Sequence, residues 1–179
     1  MDIDNTNLQE QCISRSALEL IDSLDATDCW DACVSQLDAL GINSVLYGYV
    51  TSRLDIERVG MTDACFYKTN HNPEWINQLE DNKLLDFDLT AELIADEFKE
   101  VPWFHESLWE QATAEQLEQS EIERELGMQV GISVQLEGFS DSPVMAGVGL
   151  CMRPVSVKEF DSYWQHHRAE VLDLCDVVK

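Results

Sequence analysis

Basic side chains are scarce in this chain: 11 lysines and arginines stand against 35 aspartates and glutamates, for a formal charge of -24. Phosphate backbones and anionic lipid surfaces repel such a molecule, so direct binding to nucleic acid is not expected. The acidity itself suits solubility, adaptation to a salty environment, or a basic partner surface. Long hydrophobic runs are also missing. The longest uncharged apolar stretch, residues 144–152, falls far short of the roughly 20 residues that a helix needs to cross a bilayer. Met1 is followed by Asp2 and Asp4 instead of a basic and then apolar leader, so the six cysteines are expected as reduced thiols in a cytoplasm. Prolines number 4 and glycines 8, and nowhere do they gather with serine into a linker. Neither an internal repeat nor a low-complexity tract is found. With 45% hydrophobic residues among 179, the chain can bury one sizeable core, and a single domain over 1–179 is expected.

Periodicity supplies the elements. Residues 14–24 and 28–40 show helical spacing; in the second, Trp30, Cys33, Val34, Leu37 and Leu40 share a face and Gly41 supplies a left-handed stop. Residues 44–50 read as a strand and 64–67 as its partner after a turn or irregular stretch. Asn72 and Pro73 form an N-cap and first-turn proline, which places Trp75, Ile76 and Leu79 together on a short helix. Asp88 caps a helix running to about Phe98, and Thr113 with Gln116 forms a capping box that opens another, stopping at Gly127. Residues 131–136 and 144–152 read as an antiparallel pair joined by the turn-rich 137–143. Ser156 and Glu159 form a second capping box for a long amphipathic helix carrying Phe160, Tyr163, Trp164, His167, Val171, Leu174 and Val178. This order does not alternate as parallel βαβ units would, so an antiparallel sheet covered by helices is expected, an α+β fold.

The spacing of Trp75, Asp88 and Trp103 carries the chemistry. An indole N–H donates to a carbonyl, a carboxylate accepts from an amide N–H, and a second large ring can wall off a small neutral molecule. Each residue also has a plainer reading: Trp75 as core, Asp88 as a helix cap, Trp103 as a packing anchor after proline.

The stretch from His71 through Asn72, Pro73 and Glu74 to Trp75, then Asp88, then Val101, Pro102 and Trp103, and finally Leu126 to Val134 with Gly127 and Gly131, resembles the autoinducer-binding domain of LuxR-type quorum-sensing regulators. The likeness runs through most of the chain on short motifs. It implies an α-β-α sandwich with a central antiparallel sheet, a PAS/GAF-like sensor architecture, and no catalytic role. It implies as ligand an N-acyl homoserine lactone or similar amphiphile, held between sheet and helices, with Trp75 donating to the lactone carbonyl and Asp88 accepting from the amide. His71, Leu79, Trp103, Thr90 and Gly149 complete the candidate lining. No metal or cofactor is implied, and the partner is a second copy or a full-length regulator. Regulators of this kind carry a helix-turn-helix after this region, and none is expected within 1–179.

Departures from the family pattern make the pocket less polar. His71 and Leu79 stand where tyrosines are frequent, Leu89 replaces a proline, and Gly149 replaces a serine or threonine. Pairing on Pro102 would put His105 in the place of Trp103. These changes fit a different acyl group, a non-lactone ligand, or a ligand-independent protein that modulates a regulator and fills its pocket with Leu79 and Leu89. Other signals are weak. Cys29 and Cys33 lack further zinc ligands, adjacent His166 and His167 point about 100° apart, and neither Ser140 nor the Gly147–Gly149 pair sits in a catalytic or dinucleotide motif.

Overall fold

A computed structural model describes residues 26–136, 144–152 and 156–177. Five strands form one sheet in the order β2-β1-β5-β4-β3, every neighbouring pair antiparallel. They are β1 (Ser44–Val50), β2 (Cys65–Thr69), β3 (Glu100–Pro102), β4 (Gly131–Gln135) and β5 (Met145–Cys151). The helices are α1 (Ala26–Ala39), α2 (Arg53–Val59), α3 (Met61–Ala64), α4 (Pro73–Asn82), α5 (Leu89–Ala95), α6 (Glu106–Trp109), α7 (Ala114–Glu125) and α8 (Val157–Val177), with a 3-10 turn at Leu84–Phe87. The fold is α+β, an antiparallel sheet between two helical layers.

Side chains alternate across the sheet, and the two faces do different work. Val45, Ile132, Val134, Ala146, Val148 and Leu150 join Trp30, Cys33 and Leu37 of α1 and Phe160, Val171 and Leu174 of α8 in the main core. There Trp30, Cys33 and Leu37 of the α1 stripe expected from periodicity are buried, Val34 and Leu40 pack half-buried beside them, and Gly41 closes the helix with φ +92°. The Cys33 thiol donates to the Leu174 carbonyl at 3.2 Å, tying α1 to α8. The opposite face carries Leu46, Cys65, Tyr67 and Cys151, and packs on a second cluster built by Trp75, Leu79, Leu84, Leu85 and Met128.

Local capping explains where the elements of this second layer begin. Asn72 accepts from the Trp75 N–H at 2.8 Å with Pro73 in the first turn, and the Thr113–Gln116 capping box is reciprocal. Ser156 and Glu159 cap α8 in the same reciprocal way.

Three expectations are corrected. The stretch after β1 is not irregular: Ser52 caps α2, and α3 leads directly into β2. The helix after Asp88 ends at Ala95 instead of near Phe98, because Glu97 adopts φ 69° and the chain turns toward β3. That edge strand, with Pro102 at its end as its missing donor requires, was not anticipated. The helix expected over 14–24 and the turn at 137–143 lie outside the described residues.

Candidate functional site

Between the second face of the sheet and helices α4, α5 and α7 lies a cavity of about 150 Å³, a size that accepts a benzene-sized molecule in a protein interior. Part of its floor carries no side chain. Gly48 pairs with Gly147, and Gly149 pairs with both Leu46 and Ser133, so three glycines sit together on adjacent strands beneath the cavity. Neighbouring groups lean into that space: a Cβ on Gly147 would lie 2.9 Å from the Ile94 side chain. Beside them, a Cβ on Gly131 would lie 2.4 Å from both the Leu150 carbonyl oxygen and the Trp103 ring. Trp103 can therefore take this place beside β4 only because residue 131 is glycine.

Trp103 begins a directed chain of hydrogen bonds. Its Nε1 donates to Ser133 Oγ at 2.9 Å, the Ser133 and Thr90 hydroxyls are 3.0 Å apart, and Thr90 Oγ1 donates to Asp88 Oδ1 at 2.8 Å. Thr90 gives its one proton to the carboxylate, so Ser133 must be the donor between the hydroxyls. Asp88 also caps α5, as its position before the helix foretold: Oδ1 accepts from Thr90 N at 2.8 Å and Ala91 N at 3.1 Å. One carboxylate oxygen thus takes all three donors, and Oδ2 takes none of them. The cap and the ligand-facing reading of Asp88 are compatible, one for each oxygen.

Trp75 is 2% exposed and lines the same cavity. Its Nε1 has no acceptor at hydrogen-bonding distance. A buried donor in that state costs about 1–3 kcal/mol. His71 packs edge-on against the indole with ring centroids 4.6 Å apart and also lines the cavity.

The remaining wall comes from α7, and it is polar. Gln116 and Gln119 are buried, Glu123 faces the cavity, and Leu117 of the same helix is exposed. Spacings of three and four thus give α7 an inward polar stripe, the reverse of an ordinary amphipathic helix. Gln119 Nε2 donates to Glu123 Oε1 at 3.0 Å, and Gln116 Nε2 to Glu92 at 2.7 Å. Burial, followed by repulsion from Asp88, pushes the Glu123 carboxyl up to about 8. The Trp75 indole N–H, a donor beyond ordinary hydrogen-bonding distance, favours its ionised form. Burial raises the Asp88 carboxyl as well, opposed by its three donors. Three donors within hydrogen-bonding distance of Asp88, against the Gln119 amide and the more distant Trp75 indole at Glu123, favour the negative charge on Asp88 and the proton on Glu123. The Cys65 thiol is pushed up to about 11 by burial, so it stays neutral and forms part of the apolar wall.

Of the residues singled out by sequence, the fold gathers His71, Trp75, Asp88, Thr90, Trp103 and Gly149 on one cavity. Leu79, 0% exposed, packs in the second cluster away from the lining. Leu89 is likewise outside the lining, so neither leucine plugs the space. Trp103, not His105, occupies the wall. Sequence reasoning missed Ser133 and Glu123; the stripe at 116, 119 and 123 was the available signal for the latter. No group of three or more potential metal ligands occurs among the described residues.

Comparison with known proteins identifies the fold and the family. A family model for the autoinducer binding domain aligns with residues 25–178. Among solved structures, the N-acylhomoserine lactone-dependent LuxR-family transcription factor CepR2 from Burkholderia cenocepacia superposes with a TM-score of 0.68 at 16% identity, covering 94% of this chain and 93% of that one. Escherichia coli SdiA gives a TM-score of 0.64 at 13% identity over 93% of this chain and 66% of its own. SdiA in complex with octanoyl-rac-glycerol gives 0.62 at 14% identity, over 100% of this chain and 71% of that one. Among curated proteins, none matches by sequence.

Proposed function

Because the chain belongs to the autoinducer-binding domain family, a family of ligand-sensing modules and not of catalysts, we propose that it binds an N-acyl homoserine lactone or a similar acylated amphiphile in the cavity beneath Trp75. One observation carries this reading. A buried indole N–H without an acceptor and a carboxylate with one oxygen to spare share a single cavity. A small amide-bearing head group supplies what each lacks. In this arrangement Trp75 donates to the ring carbonyl, Asp88 Oδ2 accepts from the amide N–H, and Trp103 and His71 flank the ring.

The acyl tail adds about 0.8 kcal/mol per buried CH₂. Met61, Met128 and Met145 line the cavity, and their unbranched side chains can move aside to admit it. The octanoyl-glycerol bound by SdiA shows that a relative of this fold takes an acyl chain on a head group without a lactone, so acyl-glycerols belong in the same class of candidates. No helix among the described residues is long and apolar enough to cross a membrane. A sensing role in the cytoplasm, with signal passed on through a homodimer or a pairing with a regulator, completes the proposal.

Thermal-shift and calorimetric titration with acyl homoserine lactones of graded chain length, and with 1-octanoyl-glycerol, test it. A ligand at a hundredfold excess over Kd stabilises the folded state by about 2.7 kcal/mol. The expected result is a shift that grows with chain length and weakens at least tenfold in Trp75→Phe. Absence of a shift with every member overturns the reading.

A further inference from the structure

The pocket holds one polar group that a simple donor-acceptor match to an acylated amide leaves over, the Glu123 carboxyl on the inward stripe of α7. We propose that Glu123 is a ligand-contacting, specificity-determining residue of this cavity, its carboxyl in the acid form giving a hydrogen bond from Oε2 to a carbonyl oxygen of the ligand head. The inference rests on the amphiphile-binding reading of the cavity.

Geometry fixes which oxygen is available. Oε1 accepts from Gln119 Nε2 at 3.0 Å, and a carboxyl whose one oxygen accepts carries its proton on the other. Across the cavity, the Asp88 carboxylate is saturated at Oδ1 by three donors and remains the charged member of the pair. Two bare carboxylates on one small cavity repel, and protonating the one with fewer close donors removes that penalty. The result is a cavity with two donors, Trp75 N–H and Glu123 O–H, and one acceptor, Asp88 Oδ2. An N-acyl amide with a ring carbonyl offers two acceptors and one donor, the complementary set.

Other ionisable groups near Glu123 are accounted for. On the cavity wall they are Tyr49 of β1, Cys65 of β2, His71 ahead of α4, Asp88 ahead of α5, and Arg124 beside it on α7. Arg124 is turned to Glu121 at 2.9 Å. Glu92 of α5 is taken up by Gln116, and Asp86 of the 3-10 turn accepts from Thr62 N at 2.7 Å. Burial keeps the Cys65 thiol neutral up to about 11, so it contributes no charge change in the range that matters.

The test uses the intact chain and 2-(octanoylamino)cyclopentanone, whose carbocyclic ring keeps both carbonyls and has no ester to open in base. Since ionisation of Glu123 at about 8 replaces the donor by a second negative charge, affinity should fall about tenfold between about pH 6.5 and about pH 9. Glu123→Gln keeps an N–H donor of the same shape, so it should bind at the lower pH within about threefold of the parent and lose the pH dependence. Glu123→Ala should bind more weakly at the lower pH and also be flat. Infrared absorption of a protonated carboxyl at neutral pH, absent in Glu123→Gln, gives a readout without ligand. A flat profile in the parent chain, an unchanged slope in Glu123→Gln, or tighter binding in Glu123→Ala overturns the role of Glu123 while leaving the amphiphile reading intact. Failure of the parent to bind the probe at either pH overturns both.

Discussion

The hydroxyls of Thr90 and Ser133 stand 3.0 Å apart, and the direction of that bond is set by what lies at its two ends. Thr90 is committed to Asp88, and Ser133 receives from Trp103, so the relay runs one way, from the ring over the sheet to the helix cap. It joins β3, β4 and α5 through side chains that no short motif would connect.

Breaking the relay at its centre should therefore cost more than an ordinary serine deletion. Ser133→Ala strands the Trp103 N–H and removes the donor to Thr90, and a buried donor left unmade costs about 1–3 kcal/mol. Urea unfolding of Ser133→Ala, Thr90→Val and the double variant should give a coupling energy of about 0.5 kcal/mol or more. Additive losses would show that the two hydroxyls act independently.

Asp88 caps α5 through Oδ1, and one substitution can separate that role from the proposed ligand contact at Oδ2. Asparagine is as good an N-cap as aspartate, so Asp88→Asn should change unfolding free energy by less than about 1 kcal/mol. It should weaken binding of an acylated amide at least tenfold, because the uncharged group accepts less strongly, which corresponds to about 1.4 kcal/mol. It should also lower the titration midpoint of Glu123, the like charge opposite it having gone. Calorimetry and a carboxyl titration followed by NMR report both effects.

Glycines 131 and 149 face the same tryptophan but should respond oppositely to a methyl group. A Cβ on Gly131 meets a backbone carbonyl and the ring at 2.4 Å, whereas one on Gly149 meets the ring at 3.5 Å, an ordinary contact. Gly131→Ala should lose about 1–3 kcal/mol or more, and Gly149→Ala should stay within about 1 kcal/mol of the parent by thermal unfolding. Equal effects would mean that Trp103 is free to shift.

Stability without ligand should depend on pH through Glu123 in a sense opposite to most carboxylates. Its folded-state value is raised from 4.5 to about 8, so between these values the folded state binds more protons than the unfolded one. Stability is then greatest below the unfolded value and declines as pH climbs toward about 8. Asp88, also raised by burial, acts in the same direction. Glu100 opposes them: its hydrogen bonds from Arg168 and Trp164 hold it below the usual range, and that contribution is lost on acidification. Chemical unfolding across pH should show a decline on the alkaline side that Glu123→Gln flattens.

Elements with strong local rules were legible in the sequence. The Asn72–Pro73 cap, the two capping boxes, the α1 stripe with Gly41 and the strands of the central hairpin all appear where residue chemistry placed them. Short elements were not, because α2, α3 and β3 owe their form to neighbours more than to periodicity. Asp88 and Trp75 could be picked out by residue type and spacing. Ser133 looks like any strand serine, and only the fold reveals that Trp103 reaches it across the β3–β4 pair. Glu123 lay hidden among five glutamates between 114 and 125, on a helix whose inward face could not be chosen by hydrophobicity.

Where the base of the chamber is glycine main chain, it has little with which to tell one guest from another. Discrimination by length then falls to the roof and rim, to Ile94, Met61 and Met145, where exchange of a single side chain leaves every ladder rung of the sheet undisturbed.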